Sequence, residues 1–316
     1  MRRVTIVIPS YNSAGWVRTA IDSALKQTYS NVDVLVIDDG STDNTKDVVA
    51  EYGDKIRYHF QENQGLAGAR NSGVRLAQGE CVTFLDADDQ YLPEMVQTLV
   101  DALEQYPDAG AASAAFIRHG QDGERRYPTK GGILPGGAEV GIVPDFFLAY
   151  SKEYFVWGGT IMIRCEVYKA VGESRLDLRT AQDVEMWSRI AGRYPKWVFV
   201  DKEVAIYNFF PATSRTLSPK TIPHARYLYP EEQMRQLVTQ EQWPSYRIFR
   251  RQWAMKTAKV LLRRGERARA KEALAVIAPA PMTLPWIGCW ILCHLPTPLM
   301  TAMTRFLMFC KKTLRL

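Results

Sequence analysis

Val4 to Ile8 (VTIVI) is a short run in which every residue is β-branched, and a second strand segment, Val32 to Ile37 (VDVLVI), follows after a stretch with helical periodicity. A strand that is apolar at nearly every position, rather than at every second one, has to be covered on both faces. That requires a parallel sheet with helices on each side. The intervening segments supply those helices. Asn12 or Ser13 can cap a helix whose apolar positions Trp16, Val17, Ala20, Ile21, Ala24 and Leu25 recur at helical spacing. Thr42 or Asp43 can cap a shorter one carrying Val48 and Val49. Ile56 to Phe60 is a third strand, a helix through Leu66, Ala69, Val74 and Leu76 is expected to stop at Gly79, Cys81 to Leu85 is a fourth strand, and Pro93 opens another helix. The alternation predicts an α/β fold built on a doubly wound, mainly parallel sheet.

The regular pattern dissolves from Arg118 to Pro144, where Gly, Pro and charge dominate and a loop or ribbon is expected. Beyond it, Thr160 to Ile163 reads as a strand, Asp183 to Ala191 as a helix, and Trp197 to Val200 and Val204 to Phe209 as two strands. An arginine-rich helical region is expected from about Tyr246 to Ile277. The expected organisation is therefore 1–117, 118–240 and 241–316, the first two being halves of one catalytic domain. With 47% hydrophobic and 23% charged residues, the chain is neither a disordered tail nor a fibrous repeat. Its five cysteines are odd in number, widely spaced and free of any C-x-x-C pair, which fits a reduced, cytoplasmic chain. The apolar run after Arg2 and Arg3 ends at Pro9, too short for the core of a secretion signal.

The acidic residues fall where such a sheet binds ligands, beyond the carboxyl ends of its strands. Asp38 and Asp39 end the second strand, and Asp86, Asp88 and Asp89 end the fourth. Asp39-Gly40 alone reads equally as an ordinary turn, and Asp86 to Asp89 as a solvated acidic turn. Five carboxylates brought to one edge repel one another unless a cation or hydrogen-bond donors compensate, which points to Mg²⁺ or Mn²⁺ with positions open for phosphate.

Four motifs, VTIVIPSYN (4–12), VLVIDDGSTD (34–43), NQGLAGARNSG (63–73) and FLDADD (84–89), in this order and spacing, make the chain resemble a family 2 glycosyltransferase of the GT-A fold, over about residues 3 to 115 and more weakly to about 210. The resemblance implies inverting transfer of a sugar from a nucleotide-diphosphate donor, UDP-type favoured. It implies base contacts from Pro9 and Tyr11, a hydrogen bond from a uracil-type ring to Asp39 with Asp38 beside it, and Arg70 holding the nucleotide. Asp86 and Asp88 match the family D-x-D, with Asp88 favoured for direct metal contact and Asp86 serving donor and metal. The family base is the Asp of a Glu-Asp pair at the start of a helix; here the pair is Gln182-Asp183, so Asp183 keeps the base and the neighbour departs from the pattern. The matching acceptor loop carries Trp157 and Gly158, although a core role for Trp157 is equally open. Ser214-Arg215 could reach the diphosphate or be a plain surface loop, and His224 could be a metal ligand or a solvated histidine. The Q-x-x-R-W signature of processive members is absent from the sequence, which favours one sugar per encounter.

From Ser245 onward fourteen Lys or Arg face only Glu266 and Glu272, so the net charge of +6 joins an acidic body to a basic tail. Leu284 to Cys310 contains only His294 and Arg305 as ionisable residues, and Pro296 and Pro298 cut it into pieces shorter than the ~20 residues needed to span a bilayer. Peripheral contact through 284–316 with the inner face of the cytoplasmic membrane is expected, the alternative being a helical hairpin packed on the body or between copies. No nucleic-acid recognition motif is present. The acceptor suited to such placement is a saccharide or lipid-linked saccharide in surface polysaccharide assembly. The competing classes are a nucleotide-sugar-binding scaffold without turnover and a metal-dependent phosphatase. The phosphatase is disfavoured because Gln90 follows Asp89 and three strands precede the motif; a dinucleotide oxidoreductase is disfavoured because PSYNSAG lacks G-x-G-x-x-G.

Overall fold

The structure is a computed structural model that describes residues 2–129, 132–178, 181–209 and 231–275, with Ile291 and Cys293. Its centre is a parallel block. Strands β1 (Val4–Ser10), β2 (Val32–Asp38), β3 (Arg57–Phe60) and β4 (Cys81–Phe84) lie in the order β3-β2-β1-β4, connected by helices α1 (Val17–Leu25), α2 (Thr45–Ala50) and α3 (Gly65–Leu76). Every residue of β1 is buried, as its apolar run requires. Val7, Leu35, Ile37, Val82 and Phe84 point to one face and Val4, Ile6, Ile8, Val34, Val36 and Cys81 to the other, so two cores sandwich the sheet. Each fully buried Val or Ile contributes roughly 1.5–3 kcal/mol. Thr5 is the polar exception, and its hydroxyl donates to Asp33 Oδ2 at 3.0 Å while accepting from the Gly79 N–H at 2.9 Å.

The sheet continues through β5 (Gln90–Tyr91), α4 (Met95–Gln105), β6 (Ala111–Gly120), β7 (Gly123–Tyr127), β8 (Val140–Ile142), α5 (Phe146–Lys152), β9 (Ile161–Arg164), α6 (Cys165–Val171), α7 (Gln182–Arg193) and β10 (Trp197–Phe209). Strand β9 enters antiparallel between β4 and β6, β10 runs parallel to β6, and β5, β7 and β8 pair antiparallel. Residues 118–144 thus include a ribbon. The two strands expected over 197–209 are one strand, whose pairing with β6 is interrupted by register shifts between Val200 and Ile206.

Gly79 does not end α3. The helix stops at Leu76, and Gly79 is needed three residues later because a Cβ there would stand 2.6–2.9 Å from backbone atoms of Arg3, Thr5 and Cys81. The arginine-rich region is likewise two helices after α8 (Glu231–Leu237), namely α9 (Trp243–Arg263) and α10 (Arg267–Ala275), broken at Gly265 with φ +78°. The start of α9 packs Tyr246 and Phe249 on Phe147 of α5, with ring centroids 5.1 and 5.6 Å apart. Cys81 and Cys165 are buried free thiols, and Cys293 is buried as well. No helix among the described residues is long and apolar enough to cross a membrane. Ser214, Arg215, His224 and, apart from Ile291 and Cys293, residues 284–316 lie outside the described residues.

Candidate active site

The ends of β1 and β2 and the start of α3 enclose a cleft of about 250 Å³, walled by Pro9, Ser10, Tyr11, Asp39, Asn63, Gly65, Leu66 and Ala69. Tyr11 is 44% exposed at its mouth. Asp39 is fixed from three sides. Its N–H donates to the Ser10 carbonyl at 2.8 Å, and its Oδ1 accepts from Gln61 Nε2 at 2.7 Å and the Gln64 N–H at 2.8 Å. Gly40 takes φ +82° beside Asn63, the left-handed turn that lets the loop leave the strand. Asp38 is not in the cleft wall. It is buried beneath the turn, accepting from the Ser41 N–H at 2.9 Å and the Tyr58 hydroxyl at 2.7 Å. Burial first, then that hydrogen bond, pushes the Tyr58 phenol well above its ordinary range.

A second group of charges gathers where β4 ends. Arg70 of α3 is 5% exposed; its Nη2 donates to Asp86 Oδ1 at 2.9 Å and its Cζ lies 5.5 Å from the Phe84 ring centre. Burial opposes its charge, but Asp86 and then Asp183 outweigh that, so the guanidinium is held more firmly protonated than usual. Asp183 sits half-buried in the first turn of α7, its Oδ1 accepting from the Val184 N–H at 2.8 Å. Burial raises its pKa, opposed by Arg70 and that N–H and reinforced by Asp86. Arg70 therefore couples a carboxylate from the first half of the chain to one from the second.

Asp88 is exposed and Asp89 is buried at 1%. Asn208 of β10 ties both down, its N–H reaching Asp89 Oδ1 at 2.7 Å and its side-chain amide the Asp88 carbonyl at 2.8 Å. Burial, then Asp88 and Asp86, raises the Asp89 pKa well above the carboxylate range, and its Oδ2 is buried without a partner. Among the described residues no group of three or more His, Cys, Asp or Glu is arranged as a metal cage. Two hard carboxylates beside an orphaned buried oxygen instead fit a divalent ion that completes its coordination from a bound diphosphate.

Sequence reasoning missed what holds α7. Glu185 and Arg189, 1% and 2% exposed, form an ion pair at 2.9 Å, and Arg189 also donates to the carbonyls of Val171, Gly172 and Glu173. On α3, Asn71 next to Arg70 donates to the Ser174 carbonyl and accepts from its N–H, both at 2.8 Å. The loop after α6 is thus tied to both α3 and α7. Opposite charges at i and i+4, set among Val184, Met186, Trp187 and Ile190, were the available signal. Ala181, just before α7, holds a left-handed φ of +56°.

Trp157 is 5% exposed, its ring centre 5.2 Å from Phe116 and 5.0 Å from Tyr207, so its indole belongs to the core. Gly158 abuts the site: a Cβ there would lie 3.0 Å from Arg70 Nη2. Gln182 is buried at 7%.

The model of the family described as glycosyl transferase family 2 matches residues 5–172. A Rickettsia prowazekii protein named uncharacterized glycosyltransferase RP339 is 42% identical over 214 residues, covering 67% of this chain and 65% of that protein. An uncharacterized glycosyltransferase of Rickettsia felis is 32% identical over 212 residues, 66% of this chain and 34% of its own length. The chain therefore spans less than two thirds of these curated relatives. Among solved structures, S. aureus TarS 1-349 in complex with UDP-GlcNAc is similar with TM-score 0.62 and 17% identity, over 92% of this chain and 90% of that one. Mannosyltransferase PcManGT from Pyrobaculum calidifontis, in complex with GDP-Man and Mn²⁺, gives TM-score 0.59 and 22% identity over 97% and 85%. These likenesses show the GT-A fold.

Proposed function

The chain belongs to glycosyl transferase family 2, and from that premise we propose that it transfers one sugar, with inversion, from a nucleotide-diphosphate sugar of the UDP type to a saccharide or lipid-linked saccharide in surface polysaccharide assembly. The carrying observation is the pairing of Arg70 with Asp86 while Asp183, on a separate helix, lies in the same electrostatic neighbourhood. The solved structures of similar fold that carry UDP-GlcNAc or GDP-Man support the nucleotide-sugar class.

In this reading residues 1–117 hold the donor, 118–240 the acceptor, and 241–316 form the C-terminal region. Pro9, Tyr11 and Asp39 receive the base, with Asp38 bracing the turn that carries Asp39. Asp88 and Asp86 would hold Mn²⁺ or Mg²⁺, which supplies positive charge to the departing diphosphate when bound. Arg70 adds a second, permanent cation on the same side. Asp183 takes the proton from the acceptor hydroxyl as that oxygen attacks the anomeric carbon, and the electron pair of the broken bond leaves with the diphosphate. A carboxylate whose pKa is raised by burial suits that task, since it holds the proton more strongly than a solvated aspartate. Trp157, Gly158 and Gln182 shape the acceptor side, Trp157 from behind. The C-terminal region meets an anionic bilayer surface: residues 243–275 carry ten Lys or Arg against Glu266 and Glu272, and 284–316 add apolar contact.

A panel of UDP- and GDP-sugars with Mn²⁺ or Mg²⁺ tests the reading. Acceptor-dependent release of nucleoside diphosphate by the wild type, lost in Asp183→Asn with UDP affinity retained, is the expected result. Near wild-type turnover by Asp183→Asn would reject the base assignment. Nucleotide-sugar binding without any turnover would leave a scaffold.

A further inference from the structure

The turn that carries Asp86 and Asp88 is held by β10, a strand far along the chain. On leaving the turn, β5 pairs antiparallel with β10, Gln90 opposite Ile206 and Tyr91 opposite Ala205, and the Leu92 N–H donates to the Val204 carbonyl at 2.8 Å. Continued toward the turn, that ladder would set Tyr207 against Asp89 and Asn208 against Asp88. The ladder stops there, and Asn208 replaces it with one bond from its backbone and one from its side chain.

Three hydrogen bonds meet at the peptide unit between Asp88 and Asp89. Its carbonyl accepts from the Asn208 side-chain amide at 2.8 Å, and its N–H donates to the Asp86 carbonyl at 3.0 Å. The Asp89 side chain attached to it accepts from the Asn208 N–H at 2.7 Å. A peptide unit is planar, so holding both its carbonyl and its N–H fixes its rotation, and with it the Cα of Asp88. On the other side Asp86 is held by Arg70 at 2.9 Å, and the Leu85 N–H before it donates to the Val7 carbonyl at 2.9 Å. Tyr91, 4% exposed, closes the base of the turn by donating its hydroxyl to the Phe84 carbonyl at 2.8 Å. Most of these bonds belong to backbone or to buried groups. Asn208 is half-buried at the rim, so its amide can be removed without hollowing the core.

How rigidly two carboxylates are carried decides which hard cation they prefer. Mg²⁺ demands near-ideal octahedral oxygens at about 2.0–2.1 Å, whereas Ca²⁺ accepts a larger and looser set at about 2.3–2.6 Å. A turn whose peptide unit cannot rotate suits the smaller ion. Groups that hold a ligand without touching the ion change metal affinity by about 10- to 100-fold. Resting on the proposed ion site, we infer that Asn208 is a positioning residue: its side-chain amide holds the Asp88 backbone so that Asp86 and Asp88 present a rigid pair of carboxylates, and this sets the preference for a small divalent ion over Ca²⁺.

The test uses the full chain with UDP. The probe is Mn²⁺, followed by the loss of its free-ion electron paramagnetic resonance signal on binding, with Mg²⁺ and Ca²⁺ as competitors. Asn208→Leu, close to the original size but without the donor, and Asn208→Ala are expected to weaken Mn²⁺ and Mg²⁺ binding about tenfold or more and Ca²⁺ binding by less, so that the ratio of Mg²⁺ to Ca²⁺ affinity falls. Asn208→Gln, which keeps an amide donor, should restore part of that ratio. A cooperative melt in EDTA checks that each variant is folded. Mn²⁺ affinity indistinguishable from wild type in folded Asn208→Leu and Asn208→Ala overturns the assignment. An equal loss for Mg²⁺ and Ca²⁺ overturns it too, since a brace that merely supports the fold would not discriminate between ions. A wild type that binds UDP but no Mn²⁺ would instead overturn the ion site beneath it.

Discussion

Replacing Glu185 by leucine asks whether a buried ion pair holds the helix that presents Asp183. Arg189 Nε and Nη2 reach Glu185 Oε1 and Oε2 at 2.9 and 3.0 Å, and the same guanidinium donates to three carbonyls of residues 171–173 at 2.6–2.9 Å. Removing the carboxylate strands a cation in the interior, which for a buried pair costs about 3–5 kcal/mol. The three carbonyls still accept from Arg189, so the lower end, ~3 kcal/mol, is expected. That is a large part of the ~5–15 kcal/mol that holds a typical domain together. Arg189→Leu leaves a different remnant: the carbonyls lose their donor, but Glu185, whose pKa burial already raises, can escape its charge by taking a proton. The double variant Glu185→Leu/Arg189→Leu removes both charges, and its cost should fall below the sum of the singles by about 0.5–3 kcal/mol. Urea unfolding, with the slope shared between variants, measures these differences. UDP affinity should survive, because the cleft is built from β1, β2 and α3, while transfer falls by up to ~10² as Asp183 shifts. A Glu185→Leu protein within about 1 kcal/mol of wild type, or strict additivity in the double variant, would refute the clamp.

Three further outcomes follow from the same geometry. Asp183→Asn should reduce transfer by roughly 10²–10⁴-fold and also stabilise the fold at neutral pH, because the raised carboxyl pKa means ionisation is penalised in the folded state. The stabilising difference should grow as pH rises from about 4 through the folded pKa and vanish in acid, as pH-dependent thermal melts would show. Gly158→Ala puts a Cβ 3.0 Å from Arg70 Nη2 and should weaken Mn²⁺-dependent UDP binding in calorimetry with little loss of stability; unchanged affinity would separate Arg70 from the nucleotide. Gly79→Ala, by contrast, meets the backbone of Arg3, Thr5 and Cys81 at 2.6–2.9 Å and should destabilise by about 2 kcal/mol or more without affecting the remaining folded protein's nucleotide affinity.

The parallel block was readable because its signals are local. A run such as VTIVI can be satisfied only by cover on both faces, and each helix between the strands announces its apolar stripe. The acidic ends of β2 and β4 were readable for the same reason, since strand ends in such a sheet share an edge. Asp38 and Asp39 show where this stops. Adjacent in sequence and alike in charge, one is bound beneath a turn by Tyr58 and the other faces the cleft, and the contacts that separate them come from β3 and the loop after it.

By itself the sequence determined the layered α/β architecture, the family motifs and the placement of Asp183 at a helix start, all consequences of short-range pattern. Only the tertiary structure decided that Arg70 pairs with Asp86, that Trp157 is core while Tyr154 and Tyr207 are half-buried, that β9 inserts antiparallel, and that Glu185–Arg189 ties α7 to the loop after α6. Those are contacts between segments far apart along the chain. A side chain's partner across such distances depends on how the layers pack, and no periodicity in the sequence records it.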